Sequence, residues 1–193
     1  MSAFTPPPGT QALLFDADGT LIDTWGLHRA VWTELLGRTN FAVTDEWWEA
    51  YAHEDLLTMV QAAVPSADLP RAEAMNDEGT QIYLGSLHLV DRVHRVVEVA
   101  ERFHGQFPMA VVTAGFRDVV LPSLEAVGIA DLFAAIVTGD DVDRIKPAPD
   151  GYAKAVDLLG VDPRFCVAFE DSDTGLQSAR EAGIGLLVDI RAM

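Results

Sequence analysis

The sequence predicts an α/β protein, a parallel sheet with helices on both faces into which a helical segment is inserted. Three observations predict it. Five short apolar runs, "QALLF", "PMAVVT", "AAIVTG", "CVAFED" and "IGLLVDI", have strand character. The last four alternate with helical patterns over 118–127, 149–159 and 174–182, the alternation that builds a Rossmann-like, doubly wound sheet. Residues 24–89, between the first run and the second, contain no convincing strand.

Taken in order, "MSAFTPPPGT" is a proline-rich lead expected to be loosely ordered. The first strand then runs into "ALLFDADGTLID", where an apolar stretch stops at two aspartates one residue apart, followed by Gly19 and Thr20. A polar turn with Asp23 capping the next helix is the plain reading of that stop. A calcium loop is excluded: an EF-hand needs glycine at its sixth position and glutamate at its twelfth, where this chain has Leu21 and Leu27. In the insertion, Leu27, Val31 and Leu35 form one helical stripe and Leu56, Val60, Ala63 and Val64 another. At roughly sixty-five residues the insertion is marginal as an independent fold. Each of the three later helical patterns ends near a glycine (Gly128, Gly160, Gly183), as a left-handed cap requires.

Composition narrows the function. The chain has 193 residues, 49% of them apolar, and a net charge of −17. That charge argues against nucleic acid or an anionic membrane surface as partner, since both need a basic footprint. No apolar run approaches a membrane span, and the amino terminus lacks a basic-then-apolar signal pattern, so a cytoplasmic protein is expected. The single cysteine, Cys166, sits in "FCVAF" and reads as a core residue. Of thirteen basic residues only Lys146 and Lys154 are lysines, so a lysine here is mildly informative.

Ligands of open parallel sheets bind beyond the carboxyl ends of the strands. Those ends deliver Asp16 and Asp18, then Thr113, then the loop to Lys146, then Glu170 and Asp171. Four acidic groups at one mouth repel one another unless something holds them, and a hard divalent cation with oxygen ligands is the natural candidate. A cation would also let an acidic protein hold an anionic substrate. The bland alternatives are acidic caps for the helix at Thr174, a β-branched strand residue at Thr113 and a surface lysine at 146.

With these residues assembled, "DADGTLID", "VVTAG", "KPAPDGY" and "FEDSDTGLQSAREAG" resemble, in order and spacing, the four motifs of the haloacid dehalogenase superfamily of phosphotransferases. The insertion sits where that family carries its helical cap, so the resemblance divides the chain into a core, 1–23 and 90–193, and a cap, 24–89. It implies that Asp16 is the nucleophile and Asp18 the general acid and base. Family dehalogenases lack an aspartate at the second position, so Asp18 argues for phosphoryl transfer. It further implies that Thr113 and the neighbouring Ala114 line the phosphoryl site and that Lys146 contacts nucleophile and phosphate. Mg²⁺ would be held by Asp16, the carbonyl of Asp18 and Asp171, with Glu170 acting through a water or from behind.

The cap residues refine the resemblance. "DTWGLHRAVW" resembles the β-phosphoglucomutase-like subgroup and its sugar-phosphate phosphatase relatives, with His28 at the subgroup's histidine position. Where the mutases carry a phosphate-binding arginine and a lysine, this chain has His53 and Met75. Arg117 is expected to help hold the sugar or a distal anion. Short length and the "FEDSDTGLQSAREAG" ending resemble small fructose-1-phosphate phosphatase-like proteins. The expectation is a Mg²⁺-dependent phosphatase of small phosphorylated metabolites, a monomer or weak homodimer, with a phosphosugar mutase and a non-catalytic binding protein on the same fold as the rivals.

Overall fold

The computed structural model describes residues 4–52, 54 and 56–193. In chain order the elements are β1 (Ala12–Phe15), β2 (Ile22–Asp23), α1 (Trp25–Gly37), α2 (Asp45–Tyr51), α3 (Leu56–Ala63), α4 (Leu69–Gly85), β3 (Asp91–Arg92), α5 (His94–Phe103), β4 (Met109–Val112), α6 (Arg117–Ala126), β5 (Ala135–Val137), α7 (Asp150–Leu159), β6 (Cys166–Glu170), α8 (Asp173–Glu181) and β7 (Leu186–Asp189). The chain falls into two compact units, Met1–Asp23 with Val90–Met193, and Thr24–Leu89.

In the first unit the strands are parallel in the order β5-β4-β1-β6-β7. The three central strands are buried along their whole length and the two outer ones only partly, which is why the inner runs are almost purely apolar. Side chains alternate between the faces. On one face Leu14, Val112 and Ala168 meet Tyr152, Ala155 and Val156 of α7 and Ala179 of α8. The other face is aromatic: Phe15 stacks on Phe169 at 4.7 Å, with Phe133 edge-on to Phe15 and Phe4 edge-on to Phe169. Cys166 is buried in the first of these faces, as expected, and burial pushes its thiol up to about 11.

In the second unit α1 buries Leu27, Val31 and Leu35, and α3 buries Val60 beside Met59, while Leu56, Ala63 and Val64 are half-buried. Helix α4 adds Met75 and Tyr83 and presents Gly79 to α1, where a Cβ would stand 3.0 Å from Leu35 Cδ1. The small residue allows the two helices to approach closely. Among the described residues no helix is long and apolar enough to cross a membrane.

Gly128, Gly160 and Gly183 take φ of 69°, 66° and 80°, the left-handed caps that the sequence calls for. Three features differ from expectation. Phe4 is packed on Phe169 and its carbonyl accepts from Arg102 Nη1 at 3.3 Å, so the lead is anchored at that residue. A two-residue antiparallel ribbon pairs Ile22 with Arg92 and Asp23 with Asp91. Helix α5, which no sequence pattern singled out, buries Val96, Val97, Ala100 and Phe103, a helical spacing written in β-branched residues.

Candidate active site

The register of the sheet sets the site. Phe15 lies opposite Phe169 on one side and Val111 on the other, and the Asp16 N–H donates to the Phe169 carbonyl at 3.0 Å. Asp16 is thereby level with Glu170 at the carboxyl edge, and Thr113 stands just beyond the end of β4. After Asp16 the chain turns sharply: the Ala17 carbonyl accepts the N–H groups of Thr20, Leu21 and Ile22, and Gly19 takes φ 78°. Ala17, between Asp16 and Asp18, is fully buried and anchors this turn.

Lys146 bridges the carboxyl ends of two neighbouring strands, β1 and β6. Its ammonium donates to Asp16 Oδ1 and to Glu170 Oε1, both at 2.6 Å. The side chains of Lys146 and Asp16 are 8% and 10% exposed and that of Glu170 is fully buried, so this is an interior ion triad. The loop carrying Lys146 is held on both sides. Arg144 grips Asp150 through two hydrogen bonds of 2.7 and 3.1 Å, and Ser178 Oγ donates to the Ala148 carbonyl at 2.6 Å. The Lys146–Pro147 peptide bond is cis.

Tyr152 is a member of the site that sequence reasoning did not pick out. Its hydroxyl donates to Glu170 Oε1 at 2.6 Å, and Lys146 Nζ lies 5.4 Å from the centre of its ring. The available signal was weak: a tyrosine two residues into a helix whose neighbours are small. Burial, with the charges of Glu170 and Asp16, raises its phenol well above the ordinary value.

Oxygens of Asp16, Glu170 and Asp171 lie within 4.8 Å of one another. Burial, then the Asp16 charge, pushes Glu170 up to about 7 and Asp171 up to about 6. Burial raises Asp16 as well, against the opposing pull of Lys146. Lys146 is itself raised, because its two carboxylate partners outweigh the burial that lowers it. Glu170 Oε2 is buried with no hydrogen-bond partner among the described residues. Three crowded carboxylates with one orphaned oxygen form a hard donor set, and that suits a divalent cation. Capping of α8 does not account for them, since Ser172 is the cap and accepts from the Gly175 N–H at 3.1 Å.

Across the mouth, Thr113 is buried and its Oγ1 accepts the Gly115 N–H at 3.0 Å, leaving the hydroxyl hydrogen to be donated elsewhere. A Cβ on Gly115 would lie 3.4 Å from both Thr113 Oγ1 and Asp18 Oδ2. The Asp18 carboxylate therefore lies beside the turn through Ala114, and the contact a side chain at 115 would not clear is Val120 Cγ2, 2.8 Å from that Cβ position. Arg117, expected to face the sugar or a distal anion, directs its guanidinium to Asp141 Oδ2 and the Ile136 carbonyl instead.

The remaining sequence candidates lie in the second unit. His28 on α1 stacks on Tyr83 of α4 with ring centres 4.8 Å apart. Met75 is buried, 4% exposed. His53 lies outside the described residues.

The haloacid dehalogenase-like hydrolase family matches the chain over residues 13–188. The fructose-1-phosphate phosphatase YqaB of Escherichia coli is 35% identical over 185 residues, covering 94% of this chain and 96% of its own length. The validoxylamine A 7'-phosphate phosphatase of Streptomyces hygroscopicus subsp. limoneus is 28% identical, covering 89% of this chain and 81% of its own. Among solved structures, CbbY from Rhodobacter sphaeroides in complex with phosphate superposes with a TM-score of 0.77 at 25% identity, covering 91% of this chain and 84% of that one.

Proposed function

The chain belongs to the haloacid dehalogenase-like hydrolases, and from that premise we propose that it is a Mg²⁺-dependent phosphatase of small phosphorylated metabolites, sugar phosphates foremost. The observation that carries the reading is the triad in which Lys146 bridges Asp16 and Glu170, with Asp18 beside the Thr113 turn. A carboxylate so held is an oriented nucleophile rather than a mobile surface charge.

In this reading an Asp16 oxygen attacks phosphorus and forms an aspartyl phosphate as the ester oxygen departs. Asp18 gives that oxygen its proton. It then takes a proton from the water that attacks the same phosphorus, which breaks the phosphorus bond to Asp16 and releases inorganic phosphate. One group serves both halves because the second mirrors the first. Lys146 keeps Asp16 oriented and offsets charge on the phosphoryl oxygens, to which the Thr113 hydroxyl donates. Mg²⁺, held by Asp16, Asp171 and the Asp18 carbonyl with Glu170 behind them, would neutralise the approaching phosphate. Charge stabilisation of this kind must carry most of the catalysis, because a loose phosphoryl transition state offers little else to act on.

The kinship with a fructose-1-phosphate phosphatase and a validoxylamine phosphate phosphatase supports a polyhydroxylated substrate. The test is phosphate release from a panel of sugar phosphates with Mg²⁺, repeated after chelation. Release that ceases on chelation and returns with Mg²⁺ is expected. Release indifferent to chelation would remove the cation from the reading, and none from any ester would leave a binding protein on a phosphatase fold.

A further inference from the structure

Helix α6 begins directly after the Thr113 turn, yet its cap position is Phe116, which supplies no side-chain acceptor. The orphaned N–H groups of a helix start need partners, and here one comes from another loop. The Arg117 N–H donates to Asp140 Oδ2 at 2.7 Å. The Arg117 side chain returns to the same loop, donating to Asp141 Oδ2 at 2.5 Å, and also donates to the Ile136 carbonyl of β5 at 2.8 Å. Asp141 Oδ2 also accepts the N–H and the hydroxyl of Thr138, both at 2.9 Å. These bonds, with the Arg117 charge, hold its carboxyl below the usual range although burial acts to raise it.

The loop so fixed presses on the turn that faces Asp18. The Gly139 N–H donates to the Gly115 carbonyl at 2.8 Å. A Cβ on Gly139 would stand 2.7 Å from the Ala114 carbonyl oxygen, so only glycine allows this approach without displacement. Gly139 therefore hydrogen-bonds the Gly115 carbonyl and lies close against the Ala114 carbonyl. In a planar trans peptide the N–H points opposite to the carbonyl, so holding the Gly115 oxygen sets the direction of the Phe116 N–H, while the Gly115 N–H is spent on Thr113 Oγ1 and orients that hydroxyl.

We propose that Arg117 and the 138–141 turn form a latch that orients the Thr113–Phe116 turn toward the phosphoryl group, with Arg117 a positioning residue rather than a substrate ligand. This rests on the reading above that the turn receives phosphate. Preorganised donors, here the Thr113 hydroxyl and the Phe116 N–H, act on the transition state far more than on initial binding, so the latch belongs in kcat.

The test compares wild type with Arg117→Ala, Arg117→Lys, Asp141→Asn and the Arg117→Ala/Asp141→Asn pair. Hydrogen exchange at the Gly115 and Gly139 amides is followed by NMR, alongside kcat and KM for phosphate release with Mg²⁺. In Arg117→Ala and Asp141→Asn, exchange at both amides should quicken at least about tenfold. The same variants should lose about 10- to 100-fold in kcat with KM moved less than about threefold, as expected for transition-state donors. The pair should be no worse than the weaker single variant, and lysine should restore part of the loss. A KM rise of about tenfold with kcat and exchange unchanged would return Arg117 to the substrate. A fall in Tm with exchange and kcat unmoved would make the pair merely structural. If the wild type releases no phosphate, the phosphatase reading fails and amide exchange alone decides the latch.

Discussion

Gly175 lies so close to Glu170 that a Cβ placed on it would stand 1.9 Å from Oε2. Helix α8 therefore passes against the back of the carboxylate cluster, and the Glu170 side chain has little room to retreat, since Lys146 and Tyr152 hold Oε1. Two effects oppose one another in Gly175→Ala. Alanine favours a helix over glycine by about 1 kcal/mol, whereas overpacking a rigid site costs about 1–3 kcal/mol. The clash should win. A lower Tm is expected, and Gly175→Ala/Glu170→Asp should lose less than the sum of the two single changes, because the shorter side chain clears the methyl. Simple additivity of the two changes in thermal melts would contradict a direct steric contact.

Asp16 and Asp18 have different proposed tasks, which substrates with different leaving groups can separate. Asp16→Asn should keep the fold, the amide being nearly isosteric, and lose at least about a thousandfold in kcat, as deletion of a nucleophile does. Asp18→Asn should be nearly as slow with a sugar phosphate, whose leaving oxygen needs a proton. With an aryl phosphate, whose leaving group departs unprotonated, it should release about one equivalent of phenol and then stall at the aspartyl phosphate. Rapid-quench measurement of that burst checks the division of labour. Steady turnover by Asp18→Asn without a burst would assign the acid–base role elsewhere.

Much of this site was legible in the sequence because strand ends are legible. Each apolar run stops at a polar residue, and in a parallel sheet the carboxyl ends share one edge, so Asp16, Thr113 and Glu170 could be brought together without coordinates. Tyr152 and the Arg117 latch could not. Their partners lie 18 residues away for Tyr152 and 19 to 24 residues away for Arg117, and they are met through loop geometry that no periodicity encodes. The same limit applies to the β2–β3 ribbon, whose two-residue strands carry no pattern. Helix α5 escaped for a different reason: Val96, Val97 and Val99 have strand propensity that burial on a helix face overrides.

Lys146 sits between two carboxylates at 2.6 Å from each, with 8% of its side chain exposed. A guanidinium is broader, planar and fixed in its fork geometry, so it cannot occupy that space as a point charge. Lys146→Arg should push Asp16 out of line and lower kcat/KM at least about a hundredfold, the scale of an ångström misplacement. Lys146→Ala should destabilise the metal-free protein by about 3–5 kcal/mol, because it leaves buried carboxylates without a partner. Steady-state kinetics and chemical denaturation check the two separately. An arginine variant of near-native activity would reduce Lys146 to a general positive charge.

Crowding of the carboxylates predicts how the metal-free protein responds to pH. Glu170 at about 7 and Asp171 at about 6 hold their protons more tightly in the folded chain than the ordinary values of 4.5 and 3.8. The folded state then binds more protons than the unfolded one, so the contribution of these groups is full below about pH 4 and is lost as pH rises through about 6 and 7. The chelated protein should therefore melt several degrees lower at about pH 8 than at about pH 5, and Mg²⁺ should narrow the gap by binding the deprotonated cluster. Glu170→Gln should flatten the dependence. Scanning calorimetry with and without chelator tests this, and a slope unchanged by Glu170→Gln would locate the effect in the overall charge of −17 instead.

The fate of the phosphoryl group separates a phosphatase from a mutase. A mutase must grip a second phosphate while its intermediate turns over in the site, and must keep water from the aspartyl phosphate meanwhile. Gripping a dianion calls for arginine, whose fork matches phosphate oxygens, or for lysine. At the two positions where the resemblance would supply them, this chain has His53 and Met75, and Met75 is 4% exposed within the second unit. A buried thioether offers a phosphate neither charge nor a donor, so the intermediate has water as its ready acceptor. A hexose monophosphate should yield free phosphate with at most trace isomer, even when a sugar bisphosphate primer is added. Met75→Lys should leave that outcome unchanged and lower Tm, since it buries an unpaired ammonium. Following ³¹P resonances of phosphate, substrate and isomer in one reaction decides the matter: isomer forming faster than free phosphate would make this chain a mutase, with Asp16 still its nucleophile.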